Sequence, residues 1–91
     1  MTSPERINTN VSIPEEVVDV SIIYNKNFDN GRPIRYRVKV SLYDKNNKLI
    51  GIGESNCNCE KETPSKMYGR DKALGRAVAN YYEIKRINYQ Y

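Results

Sequence analysis

Residues 34–43 show the clearest pattern in the chain, an alternation of apolar and polar side chains. Successive side chains of a β-strand point to opposite faces, so a period of two predicts a strand with one buried face and one wet face. Three cations share the predicted wet face. The apolar set is Ile34, Tyr36, Val38, Val40 and Leu42, and the polar set is Arg35, Arg37, Lys39, Ser41 and Tyr43.

Two further segments favour strands, residues 17–24 with many β-branched side chains and residues 49–57. Turn-forming residues separate the three segments, among them Asp29-Asn30-Gly31, so we expect two hairpins and antiparallel pairing. In the third segment Gly51 and Gly53 share a face and leave it bare. That absence of side chains allows a bulge or the close approach of another backbone.

Residues 64–85 are predicted to form a helix, with Thr63 as its N-cap and Pro64 at its first position. Gly69 and Gly75 lie inside it, and each costs about 1 kcal/mol relative to alanine. Small residues let a backbone, a sheet or a ligand come close, and packing on the sheet is the commoner reason. The predicted apolar stripe is Met67, Leu74, Ala77, Val78 and Tyr81.

These elements predict an α+β fold: a three-stranded antiparallel sheet in the order β-β-β-α, with one C-terminal helix packed on one face. We expect a flexible N-terminal arm over residues 1–16, one domain over 17–85 and a fraying tail over 86–91. The chain has 91 residues, of which 38% are hydrophobic, a low share for a stable core. A partner subunit would bury additional surface, so we predict a homo-oligomer.

Composition narrows the classes of function. No apolar run approaches the roughly 18 residues of a membrane span, and the N-terminus lacks the apolar region of a secretory signal. We therefore expect a cytoplasmic protein without membrane contact. The chain has no histidine, which removes Ser–His and Cys–His catalysis and most zinc sites. Because no carboxylate pair or glycine-rich phosphate loop is present, we expect a non-enzyme without a cofactor.

The two cysteines, Cys57 and Cys59, are separated by one residue. A disulfide across that spacing would be strained, and a structural zinc site needs four ligands. Glu54 and Glu60 could contribute only to a site shared between subunits. We therefore interpret the pair as reduced thiols at the end of the third strand, with a metal site as the less favoured alternative.

Basic residues outnumber acidic ones by 15 to 11, which favours an anionic partner, although a charge of +4 also suits a merely soluble surface. The densest basic cluster lies at the start of the predicted helix, where unpaired N–H groups and the positive end of the dipole favour phosphate. Alternatively, these cations are solvated or paired with Asp71 and the preceding acidic loop. The candidate phosphate ligands are Ser65, Lys66, Arg70, Lys72 and Arg76.

The wet face of the second strand is another candidate site, with Arg35, Arg37 and Lys39 near Tyr43. Cations interleaved with an aromatic ring suit single-stranded nucleic acid or a nucleotide base. The alternative is a charge pattern that protects a sheet edge from aggregation. Eight tyrosines are more than a small core can hold, and tyrosine is enriched at interfaces. The candidates for base stacking or subunit contact are Tyr43, Tyr68 and Tyr82.

The order of three strands and a helix, with Gly53-Glu-Ser55 before the loop and Ser65-Lys66 at the helix start, resembles a double-stranded-RNA-binding domain. The chain departs from that family because it lacks an evident first helix and the Gly-Pro-x-His of the first loop, parts that such domains use to span about 16 base pairs. The resemblance implies that the major-groove phosphates are bridged by Lys66, Arg70 and Lys72.

Two segments, Gly53-Glu-Ser55-Asn-Cys57 and Gly69-Arg70-Asp-Lys-Ala73-Leu74-Gly75-Arg76-Ala77, are similar to a pattern in small phage proteins. Some of these resemble anti-defence proteins of the Thoeris-inhibitor kind. The similarity covers residues 51–79, about a third of the chain. It implies an oligomer in the bacterial host cell that sequesters a nucleotide-derived signal, with Arg70 and Arg76 as phosphate ligands and a tyrosine stacked on the base.

The residues are compatible with three functions. The first is a non-catalytic phage-type binding protein that captures a phosphate-bearing ligand and so inhibits host immunity. The second is a small domain that binds double-stranded RNA or DNA, with an affinity that falls steeply with salt. The third is a protein inhibitor that contacts a host defence enzyme directly. The first function predicts that Arg70→Ala abolishes binding and leaves the melting temperature nearly unchanged.

Overall fold

A three-stranded antiparallel sheet followed by one long helix forms the fold in the computed structural model, which describes residues 2–58 and 66–89. This arrangement confirms the predicted α+β fold in the order β-β-β-α. A 3-10 helix at Pro4–Arg6 precedes the sheet. The strands, in their order across the sheet, are β1 (Asp19–Asp29), β2 (Arg32–Tyr43) and β3 (Leu49–Asn58), and the helix is α1 (Lys66–Tyr89).

Both hairpins turn at residues that tolerate positive φ. Asn30 and Gly31 between β1 and β2 have φ values of 51° and 79°, and Asn47 between β2 and β3 has a φ of 60°. In the second turn a carboxylate oxygen of Asp44 accepts a hydrogen bond from the backbone N–H of Lys48 at 3.0 Å. Local residues therefore form both turns, as the sequence predicted.

The elements extend beyond the predicted bounds. β1 begins two residues later than expected and continues five residues further. This added segment is mostly polar and pairs with β2 as far as Asp29, with an irregularity between Asn27 and Phe28. Polar side chains give no period-two apolar signal, so this extension was not predicted. α1 continues to Tyr89, through most of the expected tail. Its predicted cap, Thr63 and Pro64, lies outside the described residues.

The core lies between the sheet and α1. The even-numbered residues of β2 from Tyr36 to Leu42 are buried, as the alternation predicted, but Ser41, assigned to the wet face, is buried as well, at 8% exposed. The side chain of Ile34 lies outside the description. Met67, assigned to the apolar stripe, is instead 56% exposed, since it lies two residues before the buried Gly69 and so nearly opposite it on the helix. The core residues are Val17, Val20, Tyr36, Val38, Val40, Leu42, Ala73, Leu74, Ala77 and Tyr81.

α1 approaches β3 closely because Gly51 and Gly53 have no side chains. A Cβ atom on Gly51 would lie 2.7 Å from the carbonyl oxygen of Ala77. A Cβ atom on Gly53 would overlap the backbone of both Ala73 and Ala77. The two glycines therefore serve the close backbone approach that their shared face allowed.

The N-terminal segment, residues 2–16, lies on the α1 side of the sheet. At its start Thr2 pairs with Val20 on the outer edge of β1 through two hydrogen bonds of 2.9 Å. At its end Glu16 accepts a hydrogen bond from Lys85 of α1 at 2.8 Å. This segment, predicted as a flexible arm, thus contributes packing next to α1. Its residues against the core are Ile7, Val11 and Ile13.

Candidate functional site

The face of the sheet opposite α1 is open to solvent along much of its length. Paired residues of antiparallel strands share a face, so the register places the odd-numbered residues 19–27 of β1 and 35–43 of β2 on this side together with Ile52, Glu54 and Asn56 of β3. Within the described residues, no helix or strand packs over these side chains. We call this surface the open face.

The centre of the open face is a row of cations on β2. Arg35 and Arg37 are exposed, and Lys39 is half-buried beside them. These charges do not protect a sheet edge, because β2 is the central strand and is paired on both sides. That alternative is therefore wrong, and the three cations occupy the middle of a solvent-facing surface without serving an edge.

Asparagine side chains flank the two arginines. Asn27 lies opposite Arg35, while Arg37 is placed between Asn25 and Asn56. The Arg37 guanidinium donates a hydrogen bond from Nε to Oδ1 of Asn56 at 3.0 Å. This bond holds the arginine in place and leaves its terminal N–H groups available for a second acceptor.

A cavity of about 200 Å³ lies at this end of the open face. Two arginines and three amides of the open face line it, so it offers many hydrogen-bond donors together with positive charge. Lys26 also lines it, but the register places its side chain on the α1 side, with the ammonium 5.6 Å from the centre of the Tyr36 ring. An anionic group that also carries hydroxyl or ring-nitrogen atoms matches this chemistry. The lining residues are Asn25, Lys26, Asn27, Arg35, Arg37 and Asn56.

Arg70, the main candidate phosphate ligand in α1, contacts groups of the protein itself. Its Nη2 donates a hydrogen bond to the backbone carbonyl of Asn8 and lies 3.1 Å from the Asp71 carboxylate. Its side chain is only 16% exposed. Arg70 therefore joins the N-terminal segment to α1, and its pairing with Asp71 matches the alternative that the sequence left open.

The other helix candidates are dispersed. Arg76 donates a hydrogen bond to the backbone carbonyl of Glu54 at 2.7 Å. The Lys72 ammonium lies 5.9 Å from the centre of the Tyr68 ring. Ser65 lies outside the described residues, as does the side chain of Lys66.

α1 also covers the outer edge of β3, a role that was not predicted. The side-chain oxygen of Asn80 accepts a hydrogen bond from the backbone N–H of Ile52 at 3.0 Å, and the Arg76 bond satisfies the carbonyl of Glu54 two residues further. Unpaired edge groups are templates for aggregation. The sequence signal was limited to the four-residue spacing that places both side chains on one side of the helix.

The three candidate tyrosines lie in different places. Tyr43 is half-buried at the far end of the open face, opposite Asp19. Tyr68 and Tyr82 are both exposed on α1, and Tyr82 makes an edge contact with the Tyr81 ring at 5.0 Å between centroids. Only Tyr43 therefore shares a surface with the basic row of β2.

Tyr36 and Glu16 are among the titratable groups with shifted pKa values on the α1 side of the sheet. Burial raises the pKa of Tyr36, whose hydroxyl has no hydrogen-bond partner among the described residues. The hydrogen bond from Lys85 lowers the pKa of Glu16, and a contact with Tyr81 lowers it further. Both groups lie away from the open face, so they concern the stability of the fold.

Only part of the candidate metal-ligand set, Cys57 and Glu54, belongs to the described residues. Cys57 is half-buried near the end of β3, and Cys59 lies outside the described residues. Within the described part of the chain, no group of three or more cysteine, aspartate or glutamate side chains is placed to hold a metal ion. The same part contains no helix that is both long and apolar enough to cross a bilayer.

Comparison with protein families, curated proteins and solved structures gives no match to this chain. The resemblances to double-stranded-RNA-binding domains and to phage anti-defence proteins therefore stay predictions.

Proposed function

We propose that the protein is a non-catalytic binding protein that holds a phosphate-bearing nucleotide ligand on its open face. The observation that carries this proposal is the position of Arg35 and Arg37. Both are exposed on the central strand, and both line a cavity whose other walls are amides and a lysine.

Arginine suits phosphate because its planar guanidinium donates two parallel hydrogen bonds to two phosphate oxygens. The hydrogen bond from Nε of Arg37 to Asn56 fixes the guanidinium before a ligand arrives, so less side-chain entropy is lost on binding. The amides beside it can donate to or accept from ribose hydroxyls and base edges. The arginines thus complement the charge of a phosphate, and the neighbouring amides complement the polar groups of the ribose and the base.

The open face is a better site than the start of α1. A phosphate bound by Arg70 or Arg76 would compete with the backbone carbonyls of Asn8 and Glu54, which these residues already bind. The double-stranded-RNA-binding alternative also depends on Arg70. The arginines of the open face can reach a ligand without giving up a contact between the helix and the rest of the fold.

Capture without chemistry is the simplest activity for this surface, because the cavity is lined by amides and cations only. If the ligand is a signal of host defence, capture alone would inhibit immunity. That part of the proposal rests on the resemblance to phage anti-defence proteins. The ligand chemistry rests on the open face.

The test is isothermal titration calorimetry with ADP and, separately, with an oligothymidylate of about ten nucleotides. We expect Arg35→Ala/Arg37→Ala to weaken binding at least tenfold, about 1.4 kcal/mol, and to leave the melting temperature nearly unchanged. The matched control is Lys45→Ala/Lys48→Ala, which removes the same charge from the exposed turn between β2 and β3.

The control variant should bind within a few-fold of the wild type. If neither probe binds, or if the two double variants lose affinity equally, the open face is not the site and the proposal is wrong.

A further inference from the structure

We infer that the ligand is a single-stranded nucleic acid and not a free mononucleotide. This inference rests on the proposed function and extends it from one cavity to the whole open face. It is carried by three features of that face: its length, its apolar side chains and the position of its carboxylates.

The first feature is length. Arg35, Arg37, Lys39, Ser41 and Tyr43 follow one another on the same side of β2. At about 3.3 Å per residue the row is roughly 26 Å long. A mononucleotide in the cavity at one end would leave Lys39 and Tyr43 without contact, whereas an extended strand would reach the four accessible residues of the row, since Ser41 is buried.

The second feature is an exposed apolar surface between the cations and the tyrosine. Ile23 is 48% exposed and lies opposite Lys39, and Ile52 is 38% exposed and lies opposite Ser41. They lie on opposite sides of β2, and with the ring of Tyr43 they add apolar surface beside the basic row. Proteins that bind single strands combine a cationic path for the backbone with apolar or aromatic surfaces for the faces of the bases.

The third feature argues against a duplex. Glu54 lies opposite Lys39 on one flank of the row, and Asp19 lies opposite Tyr43 on the other. These carboxylates would repel a second phosphate backbone alongside the first. A duplex also keeps its bases stacked inside, so the isoleucines and Tyr43 would face phosphates.

The experiment measures fluorescence anisotropy of labelled oligothymidylates of increasing length, with ADP and a blunt DNA duplex as competitors, at one salt concentration. We expect affinity to rise with length until the oligomer covers the open face, and then to level off. Repeating the titration at several salt concentrations should give a slope of log K against log salt near −2, about 0.7 for each of three phosphates.

Tyr43 provides the variant that separates base contact from charge. Tyr43→Ala should lower the affinity for the oligothymidylate at least fivefold and leave the affinity for ADP unchanged. Tyr43→Phe keeps the aromatic ring and should therefore bind the oligothymidylate with the wild-type affinity. A failure of Tyr43→Phe to restore binding would overturn the stacking role.

The outcomes separate the two proposals. If ADP binds as tightly as the longest oligomer and still requires Arg35 and Arg37, the inference of a single strand is wrong and the proposed function stands. If the duplex competes as well as the single strand, the double-stranded alternative replaces the inference. If no probe binds, both proposals fail together.

Discussion

Arg70 connects two parts of the chain that are far apart in sequence. Its guanidinium bonds to the carbonyl of Asn8 and to the carboxylate of Asp71, and it is largely buried between them. Hydrogen bonds that involve a charged group typically contribute about 1.5–3 kcal/mol. A cation at the start of a helix can therefore serve the fold and not a ligand.

Arg70→Ala is expected to lower the free energy of unfolding by about 1–3 kcal/mol, because the Asn8 carbonyl and Asp71 lose a partner. Binding of oligothymidylate should be unchanged. Urea denaturation and anisotropy measure the two effects, and Lys72→Ala, which removes an exposed cation from the same helix, is the control for charge. Lost binding with unchanged stability would instead place the phosphate site at the start of α1.

At the residue scale the sequence predicted contacts between neighbours better than contacts between distant residues. The pairing of Arg70 with Asp71 was one of two interpretations, since the residues are adjacent. The bonds from Arg70 to Asn8 and from Ile52 to Asn80 join residues that come together only in the folded chain. Backbone carbonyls and N–H groups occur at every position, so no residue type marks them as partners.

At the scale of elements, the contact between β3 and α1 depends on the absence of side chains. Gly51 and Gly53 face the helix where Ala73 and Ala77 pass over them. Gly69 packs in the same way, since a Cβ atom there would lie 3.2 Å from Val38. Gly75 differs, because an added Cβ atom would meet nothing within 4 Å.

This difference gives a matched pair of substitutions. Gly53→Ala should destabilise the protein by several kcal/mol, because the new methyl group overlaps backbone atoms of α1 that cannot move without separating the helix from the sheet. Gly75→Ala should stabilise it by about 1 kcal/mol through helix propensity alone. Urea denaturation of both variants measures the effects. Equal effects of the same sign would contradict the packing described for α1.

The shared face of Gly51 and Gly53 was visible in the sequence. It predicted that another part of the molecule comes close to β3, but it did not identify that part as α1. The open face was easier to predict than the partner of the glycines. Strict alternation over ten residues of β2 predicts which side chains face the core and which face solvent. Sequence reasoning could not decide whether the wet cations lay on an edge or a central strand. That distinction depends on the order of the strands across the sheet. The turn residues are compatible with the observed order but do not determine it.

At the scale of the whole molecule, the N-terminal segment is held at both ends. Thr2 pairs with β1, and Glu16 bonds to Lys85 in the last part of α1. The latter contact lowers the pKa of Glu16 below its ordinary value of 4.5. A carboxyl group whose pKa is lower in the folded chain stabilises the fold above its unfolded pKa, and this stabilisation is lost as the pH falls through the folded pKa.

Glu16→Gln should therefore lower the melting temperature slightly at pH 7 and by less at pH 3, because the wild-type carboxyl group loses its charge as the pH falls through its folded pKa. The effect is small because both partners are exposed to solvent. Differential scanning calorimetry at the two pH values measures it, with Glu15→Gln as the neighbouring control. A destabilisation of the same size at both pH values would show that Glu16 acts through packing and not through its charge.

The alternation of buried and solvent-facing residues in β2 has a consequence for which mutations this protein can tolerate. Even-numbered positions of the strand are committed to the core, while Arg35, Arg37 and Lys39 face solvent from the same backbone. Mutations at these three positions can accumulate without loss of foldability, so ligand specificity can change under selection while the fold is retained. A library randomised at these three positions should yield mostly folded variants that differ in what they recognise.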